Sequence, residues 1–395
     1  MFQAFYTGLS GMFSFSKNLN NVSNNIANMN TPGFRGSDTF YRSLTTGGTL
    51  ENDGSGIGTQ VSGLGYRFSA GEVRQTGNST DLAIAGQGMF VLKNDDQFLY
   101  TRAGQFNFND NGVLVDSVSG LEVVSLDKNG KMQPLSIDDL KLLAPEATTK
   151  LSFSGNLSSD YNEHEVKGLS VINSMGEKVE VNAKFTNNSA TTVGSWNVEL
   201  TDKDGNVLSN NEIRFGSDGT PATGFNSFTF NVKDSMGGTT AVTFNMGDAS
   251  KFSGSTSTAA GANSTLIGNV EDGSPISDLT SISFNADGTL KLKYANGTVK
   301  DGPALALASF DNESVLQLAE GSIFKADNNS SRKIGQAGTG SLGTIVAESI
   351  ELSNVDLSKE FADMIIIQRG YQASSRVLNV ANTMLEQLYQ STQGR

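Results

Sequence analysis

The chain has 395 residues, length for about two to four domains, with 37% apolar residues, 17% charged residues and a net charge of −13. That acidic balance excludes a phosphate-backbone partner, which needs clustered Lys and Arg, and the lack of cysteine excludes disulfides, thiolate metal sites and thiol nucleophiles. No apolar run reaches the roughly 18 residues of a membrane-spanning helix.

The spacing predicts a helix from residue 2 to about residue 29. Phe5, Met12, Leu19 and Ile26 recur every seven residues, with Phe2 and Leu9 between them. Thr31-Pro32-Gly33 stops it, because proline disfavours helix in the residue before it and glycine permits a reversal. The start carries no early basic region and its apolar residues are periodic, so it is not a Sec-type signal; export, if it occurs, is expected by a route that cleaves no signal peptide. Residues 35–70 are polar and Gly-rich, with Thr45-Thr46-Gly47-Gly48 and Asp53-Gly54-Ser55-Gly56. They read as an extended linker or arm with a short strand at Thr59–Leu64.

From residue 71 the period becomes two. Leu82-Ala83-Ile84 leads into Met89-Phe90-Val91-Leu92, and Phe98, Tyr100, Phe106 and Phe108 follow at strand spacing. Asn-Gly and Asp-Gly pairs such as Asn111-Gly112, Asp204-Gly205 and Asp287-Gly288 supply the positive φ of tight hairpins. The middle is therefore antiparallel β. Boundaries near Pro145 and Pro275, the second beyond the low-complexity run Ser253–Ala262, mark residues 146–275 as an insertion. Within it Val171-Ile172-Asn173-Ser174-Met175-Gly176 is echoed by Val232-Lys233-Asp234-Ser235-Met236-Gly237, as two hairpins of one β-domain would be.

A C-terminal helix follows, capped by Asn354 or Asp356. Leu357, Met364, Tyr371, Leu378 and Leu385 recur every seven residues, joined by Ile367, Ala381 and Leu388. A sustained seven-residue repeat favours coiled-coil packing over an ordinary core helix, and neither stripe is stable alone. The economical arrangement pairs the two ends with each other and with copies of themselves. The expected fold is mainly β with N- and C-terminal α-helices in a nested multi-domain order: residues 1–34 with 351–395 as a paired, coiled-coil-like inner domain; 35–70 as linker; 71–145 with 276–350 as an inner β-domain; and 146–275 as an inserted outer β-domain.

Sites for chemistry are sparse. His164 is the only histidine and reads as a solvated loop residue. Gly338-Thr339-Gly340-Ser341-Leu342-Gly343 fits G-x-G-x-x-G but sits in no βαβ unit, and Thr344–Ala347 after it reads as a strand. Asn107–Gly112 imitates half a calcium loop but lacks its terminal Glu. No catalytic, cofactor or metal site is expected.

Four motifs, in order, carry a resemblance. Asn24-Asn25-Ile26-Ala27-Asn28-Met29-Asn30-Thr31-Pro32-Gly33-Phe34 resembles the N-terminal signature of the bacterial flagellar rod and hook protein family. Ser353-Asn354-Val355-Asp356-Leu357 with Gln368-Arg369-Gly370-Tyr371-Gln372-Ala373 resembles its C-terminal signature. Asp81–Phe90 and Tyr100–Phe106 resemble its shared β-domain. Rod members are shorter and lack a large insertion; here Leu169–Gly176 is similar to the outer domain of hook-type members.

The resemblance implies a structural, non-enzymatic subunit of a flexible helical tube, part of the extracellular hook, that passes motor torque to the filament. It implies partnership with further copies of the chain, with the distal rod, hook cap and hook–filament junction, and with the flagellar type III export apparatus, and no cofactor. The self-assembly residues it implies are Phe5, Leu9, Met12, Leu19, Asn24, Asn25, Ile26, Asn28, Pro32, Gly33 and Phe34 at the front. At the back they are Asn354, Asp356, Leu357, Met364, Ile367, Gln368, Arg369, Tyr371, Leu378, Leu385 and Leu388. The rival readings are a rod subunit with an enlarged insertion and an extracellular β-rich, adhesin-like protein.

Overall fold

A computed structural model describes residues 2–45, 56–95, 97–127, 129–259, 263–326 and 332–393. Parts of the turn sequences at 45–56 and of the run Ser253–Ala262 lie outside the described residues. Helix α1 spans Phe2–Ala27 and helix α2 spans Leu357–Gln393; among the described residues between them there are strands, turns, irregular segments and two short 3₁₀ turns. The mainly-β fold with packed terminal helices expected from the alternation of periods is therefore present.

Each helix is bounded by local chemistry. At the end of α1 the Asn28 side chain donates to the Asn24 carbonyl at 3.0 Å, and Thr31 Oγ1 donates to Asn28 Oδ1 at 3.1 Å. Asp356 caps α2: its Oδ1 accepts from the backbone N–H of Ser358 at 2.8 Å and of Lys359 at 3.2 Å.

Two compact units divide the chain. The first comprises Met1–Asp138, Ile282–Leu292 and Lys300–Arg395; the second comprises Asp139–Ser281 and Lys293–Val299. In the first unit, strands Met89–Asn94 and Gln97–Thr101 form a hairpin, flanked by Glu122–Leu126 on one side and Ile323–Ala326 on the other. Met89, Val91, Tyr100, Val124, Ala306, Ala308, Leu316 and Phe324 form its core. Two short ladders then carry the chain toward α2: Thr344–Ala347 pairs with Leu82–Ala85, and Ser349–Glu351 pairs with Val73–Gln75.

The segment read as an extended arm or linker with a short strand at Thr59–Leu64 is an antiparallel hairpin whose second strand contains that stretch. Strand β1 (Ser37–Thr45) pairs along its length with β2 (Gly56–Tyr66), with a bulge between Phe40 and Tyr41. Polar, Gly-rich composition hid its first strand; beside its own ladder and the Arg42–Gln60 bonds, its contacts come from α1. Ser14 donates to the Thr59 carbonyl at 3.2 Å, and Asn21 and Asn25 both donate to the Ser37 carbonyl, at 2.7 and 2.9 Å. Glycine is required where the hairpin meets the helix: Gly58 has φ +129°, and a Cβ there would lie 2.0 Å from Ser10 Oγ.

In the second unit, a four-stranded antiparallel sheet (Glu163–Ile172, Lys178–Asn187, Ser195–Asp202, Val207–Arg214) shares one core with a sheet built on Lys150–Asn156, Ser227–Lys233 and Thr239–Asn245. Trp196, Phe153, Phe185 and Phe244 are fully buried there, with Phe153 stacked on Phe244 at 4.3 Å between ring centroids. The echoed Ser-Met-Gly segments are hairpin tips clasped together: Ser174 N donates to Thr240 Oγ1 at 2.9 Å and Ser235 Oγ donates to Glu177 Oε1 at 2.5 Å. His164 lies in a strand rather than a loop, its Nε2 3.0 Å from the Leu266 carbonyl oxygen. Asn109 spends its side-chain oxygen on the turn, accepting from the N–H groups of Asn111 and Val113.

Candidate assembly interface

The two terminal helices pack antiparallel. Asn25 lies opposite Glu360, Phe15 opposite Gly370, Gly11 opposite Ser374, and Gly8 opposite Leu378. Small residues set this approach: a Cβ on Gly8 would sit 3.2 Å from the Ser374 carbonyl oxygen, one on Gly11 2.8 Å from Ser374 Oγ, and one on Gly370 2.5 Å from the Phe15 ring. By that register the part of α2 beyond about residue 384 runs past the start of α1.

The buried line on α2 is Glu360, Ile367 and Ala381, with Ser374 half-buried among them. Leu357, Met364, Leu378 and Leu385 are half-buried beside that line. On α1, Phe5, Leu9, Met12, Leu19 and Ile26 are half-buried, while Val22 and Asn25 are buried. Tyr371 and Leu388 of the expected stripe point outward, as do Gln368, Arg369 and Asn24. The intramolecular seam is thus narrower than the sequence stripe and rotated from it, toward the small and polar residues.

What remains is a second apolar face turned to solvent. On α2 it holds Ile366, Val377, Val380, Met384 and Leu388, exposed by 46–64%. Their spacings of eleven, three, four and four residues place them on one side of the helix. On α1, Phe2, Tyr6 and Phe13 are exposed by 61–69%.

A buried polar scaffold ties both helices to the β-structure. Glu360, 2% exposed, accepts from Asn25 Nδ2 at 3.1 Å and from Arg67 Nη2 at 2.5 Å. Asn354 accepts from Gly36 N at 2.8 Å and donates to the carbonyls of Arg67 and Ser69. Glu351, wholly buried, accepts from Arg35 at 2.7 Å, Arg102 at 3.1 Å and Gly71 N at 2.7 Å. The Gly33 N–H donates to the Glu351 carbonyl at 2.8 Å, and Phe34 is buried beside it. Gly33 has φ +67°, and a Cβ there would lie 2.2 Å from Ala103 N, so this turn admits only glycine.

Arg35, Arg67, Arg102, Glu351 and Glu360 are the residues that reading the sequence missed. Their one signal was a lone charge among apolar or small neighbours, as in Phe34-Arg35-Gly36 and Ile350-Glu351-Leu352. Among the described residues no cluster of His, Asp and Glu is placed to hold a metal ion, and no helix is long and apolar enough to cross a membrane.

Paired terminal helices with an exposed apolar face, joined through a turn-and-ladder scaffold to β-structure, define the class of protein as a structural subunit with a surface for association. Family comparison agrees along the chain. The flagella basal body rod protein family matches residues 5–35, the flagellar hook protein FlgE/F/G D1 domain matches 83–156, and the flagellar basal body rod FlgEFG protein C-terminal family matches 346–391. Among relatives, the flagellar hook protein FlgE of Brucella suis biovar 1 is 30% identical over 402 residues, covering 97% of each chain. The FlgE of Escherichia coli (strain K12) is 27% identical over 410 residues, covering 98% of this chain and 99% of that one. The FlgE of Treponema pallidum (strain Nichols) is 26% identical over 459 residues, covering 98% of both. A solved structure of Helicobacter pylori flagellar hook protein FlgE2 overlays with a TM-score of 0.48 at 13% identity, covering 70% of this chain and 100% of that one. The chain belongs to the flagellar hook protein family and is a structural subunit of the hook.

Proposed function

We propose that copies of this chain polymerise through the outward faces of their paired terminal helices into a bendable tube that couples the motor to the filament, with no enzymatic activity. The exposed stripe on α2, together with Phe2, Tyr6 and Phe13, carries this reading. Exposed apolar patches on this scale mark interaction surfaces. Finishing the burial of five half-exposed side chains contributes roughly 1 kcal/mol each, enough to hold a subunit that meets several neighbours. The self-assembly residues proposed from the motifs divide into two roles. Asn25, Gly33, Phe34, Asn354 and Ile367 hold the subunit together; Tyr371 and Leu388 face neighbours.

Cohesion lies in the terminal-helix domain (1–34 with 351–395), and the β-domains, including the insertion 146–275, supply weaker polar contacts that exchange as the tube bends. The ends of the tube meet the distal rod, the hook cap and the hook–filament junction. Export uses the flagellar type III apparatus, delivering the subunit to the extracellular tip. The test is Val380→Asp in the full chain, followed by sedimentation and electron microscopy of polymers. An aspartate buried in the helix layer is costly, so polymer yield collapses while the helical circular dichroism of the monomer is kept. Normal yield of polymer from this variant refutes the reading.

A further inference from the structure

The buried node around Glu351 is not charge-balanced. Arg35 and Arg102, with side chains 1% and 6% exposed, share one carboxylate that is 0% exposed. Arg102 also donates to the carbonyls of Ile84 and Gly86. Arg35 donates to Glu351 only through Nη2, and its Nε and Nη1 are buried with no protein partner. Two guanidiniums face one buried carboxylate, and the other carboxylate on this cavity, Glu313, is exposed at its margin, so the buried positive charge is only partly offset, which is costly.

Both arginines line a single cavity of about 30 Å³, walled by Phe68, Gly88, Met89 and Leu316, with Glu313 at its exposed margin. One water needs at least about 10–15 Å³, so this space has room for one small ion or about two waters. Arg35 also borders a second cavity, of about 140 Å³, but its walls (Phe34, Leu64, Tyr66, Phe324) bring no second cation.

We propose that the Arg35–Arg102 cavity is a halide site, in which one chloride accepts from the free donors of Arg35 and neutralises the node. Burial is the main cause that pushes Arg102 below the usual arginine range; Glu351 opposes it, and the Arg35 charge adds a smaller push in the same direction. A halide relieves that push without a directional acceptor geometry. Glu313 is the competing anion, since its carboxylate contributes to the field at Arg102 from the cavity margin.

The test uses the full-length monomer in sodium gluconate, titrated with sodium chloride at constant ionic strength. Chloride NMR line width reports binding. Wild type is expected to broaden the signal saturably and to gain about 3 °C in melting temperature at tenfold the dissociation constant. Arg35→Gln should weaken chloride binding at least tenfold, and Glu313→Gln should tighten it several-fold by removing the competitor. If Arg35→Gln does not fold, crystals of wild type grown in bromide decide. Anomalous density within hydrogen-bond distance of Arg35 supports the site, and water density alone overturns it. Equal broadening by wild type and a folded Arg35→Gln, or no chloride-specific rise in melting temperature, also overturns it.

Discussion

Replacing Glu351 by Gln probes the joint between the N-terminal motif, the β-structure and α2. The carboxylate holds two charge-assisted bonds, to Arg35 at 2.7 Å and Arg102 at 3.1 Å, and one to Gly71 N at 2.7 Å. An amide keeps one acceptor oxygen and turns an NH₂ group toward a guanidinium. Charge-assisted bonds contribute about 1.5–3 kcal/mol each, and breaking a buried ion pair costs about 3–5 kcal/mol. Because all three side chains are at most 6% exposed, solvent screening offers no relief, and we expect a loss of about 4 kcal/mol. Set against a typical domain stability of about 5–15 kcal/mol, that is a large fraction. With a urea slope of about 2 kcal/mol per molar, the midpoint falls by about 2 M.

The assay is urea unfolding of the full chain in chloride-free buffer. Both long helices belong to the first unit, so the far-ultraviolet helix signal follows it. Trp196, the only tryptophan, is buried in the second unit, and its fluorescence is the internal control. A helix-signal midpoint that moves by less than the equivalent of about 1 kcal/mol would refute the reasoning, because a surface ion pair does no better than that.

Two further outcomes follow from named groups. In the second unit, Glu177, Asp202, Glu212 and Asp218 are held below the usual carboxylate range by hydrogen bonds from Ser235, Asn206, Arg214 and Thr220 respectively. Depressed carboxylates stabilise above their unfolded pKa and lose that contribution as pH falls through the folded value. The melting temperature read by Trp196 should therefore be flat above about pH 5 and fall on acidification below about pH 4; a flat profile down to pH 3 would contradict the assignment. Gly33→Ala forces a Cβ against the Ala103 backbone at a positive φ and should cost about 1–3 kcal/mol. Limited proteolysis is then expected to release residues 1–33 faster than from wild type, and an unchanged cleavage rate would show that the turn tolerates a side chain.

The sequence by itself determined the alternation of structure. Seven-residue spacing marked both helices, period-two runs and Asn-Gly turns marked the β middle, and the Thr-Pro-Gly stop marked where α1 ends, because each of these is local chemistry between residues a few positions apart. Only the tertiary structure decided how they join. The antiparallel register that sets Gly8 against Leu378, and the rotation of the seam onto Glu360, Ile367 and Ala381, depend on how closely glycines let two backbones approach. Of the hairpin of β1 and β2 only the stretch Thr59–Leu64 was legible, because what fixes its first strand is its ladder with a distant partner and bonds from Ser14, Asn21 and Asn25 of a helix. The node of Arg35, Arg102 and Glu351 joins residues up to 316 positions apart. A lone charge has no period, so its burial and its partner exist only once the chain has closed around it.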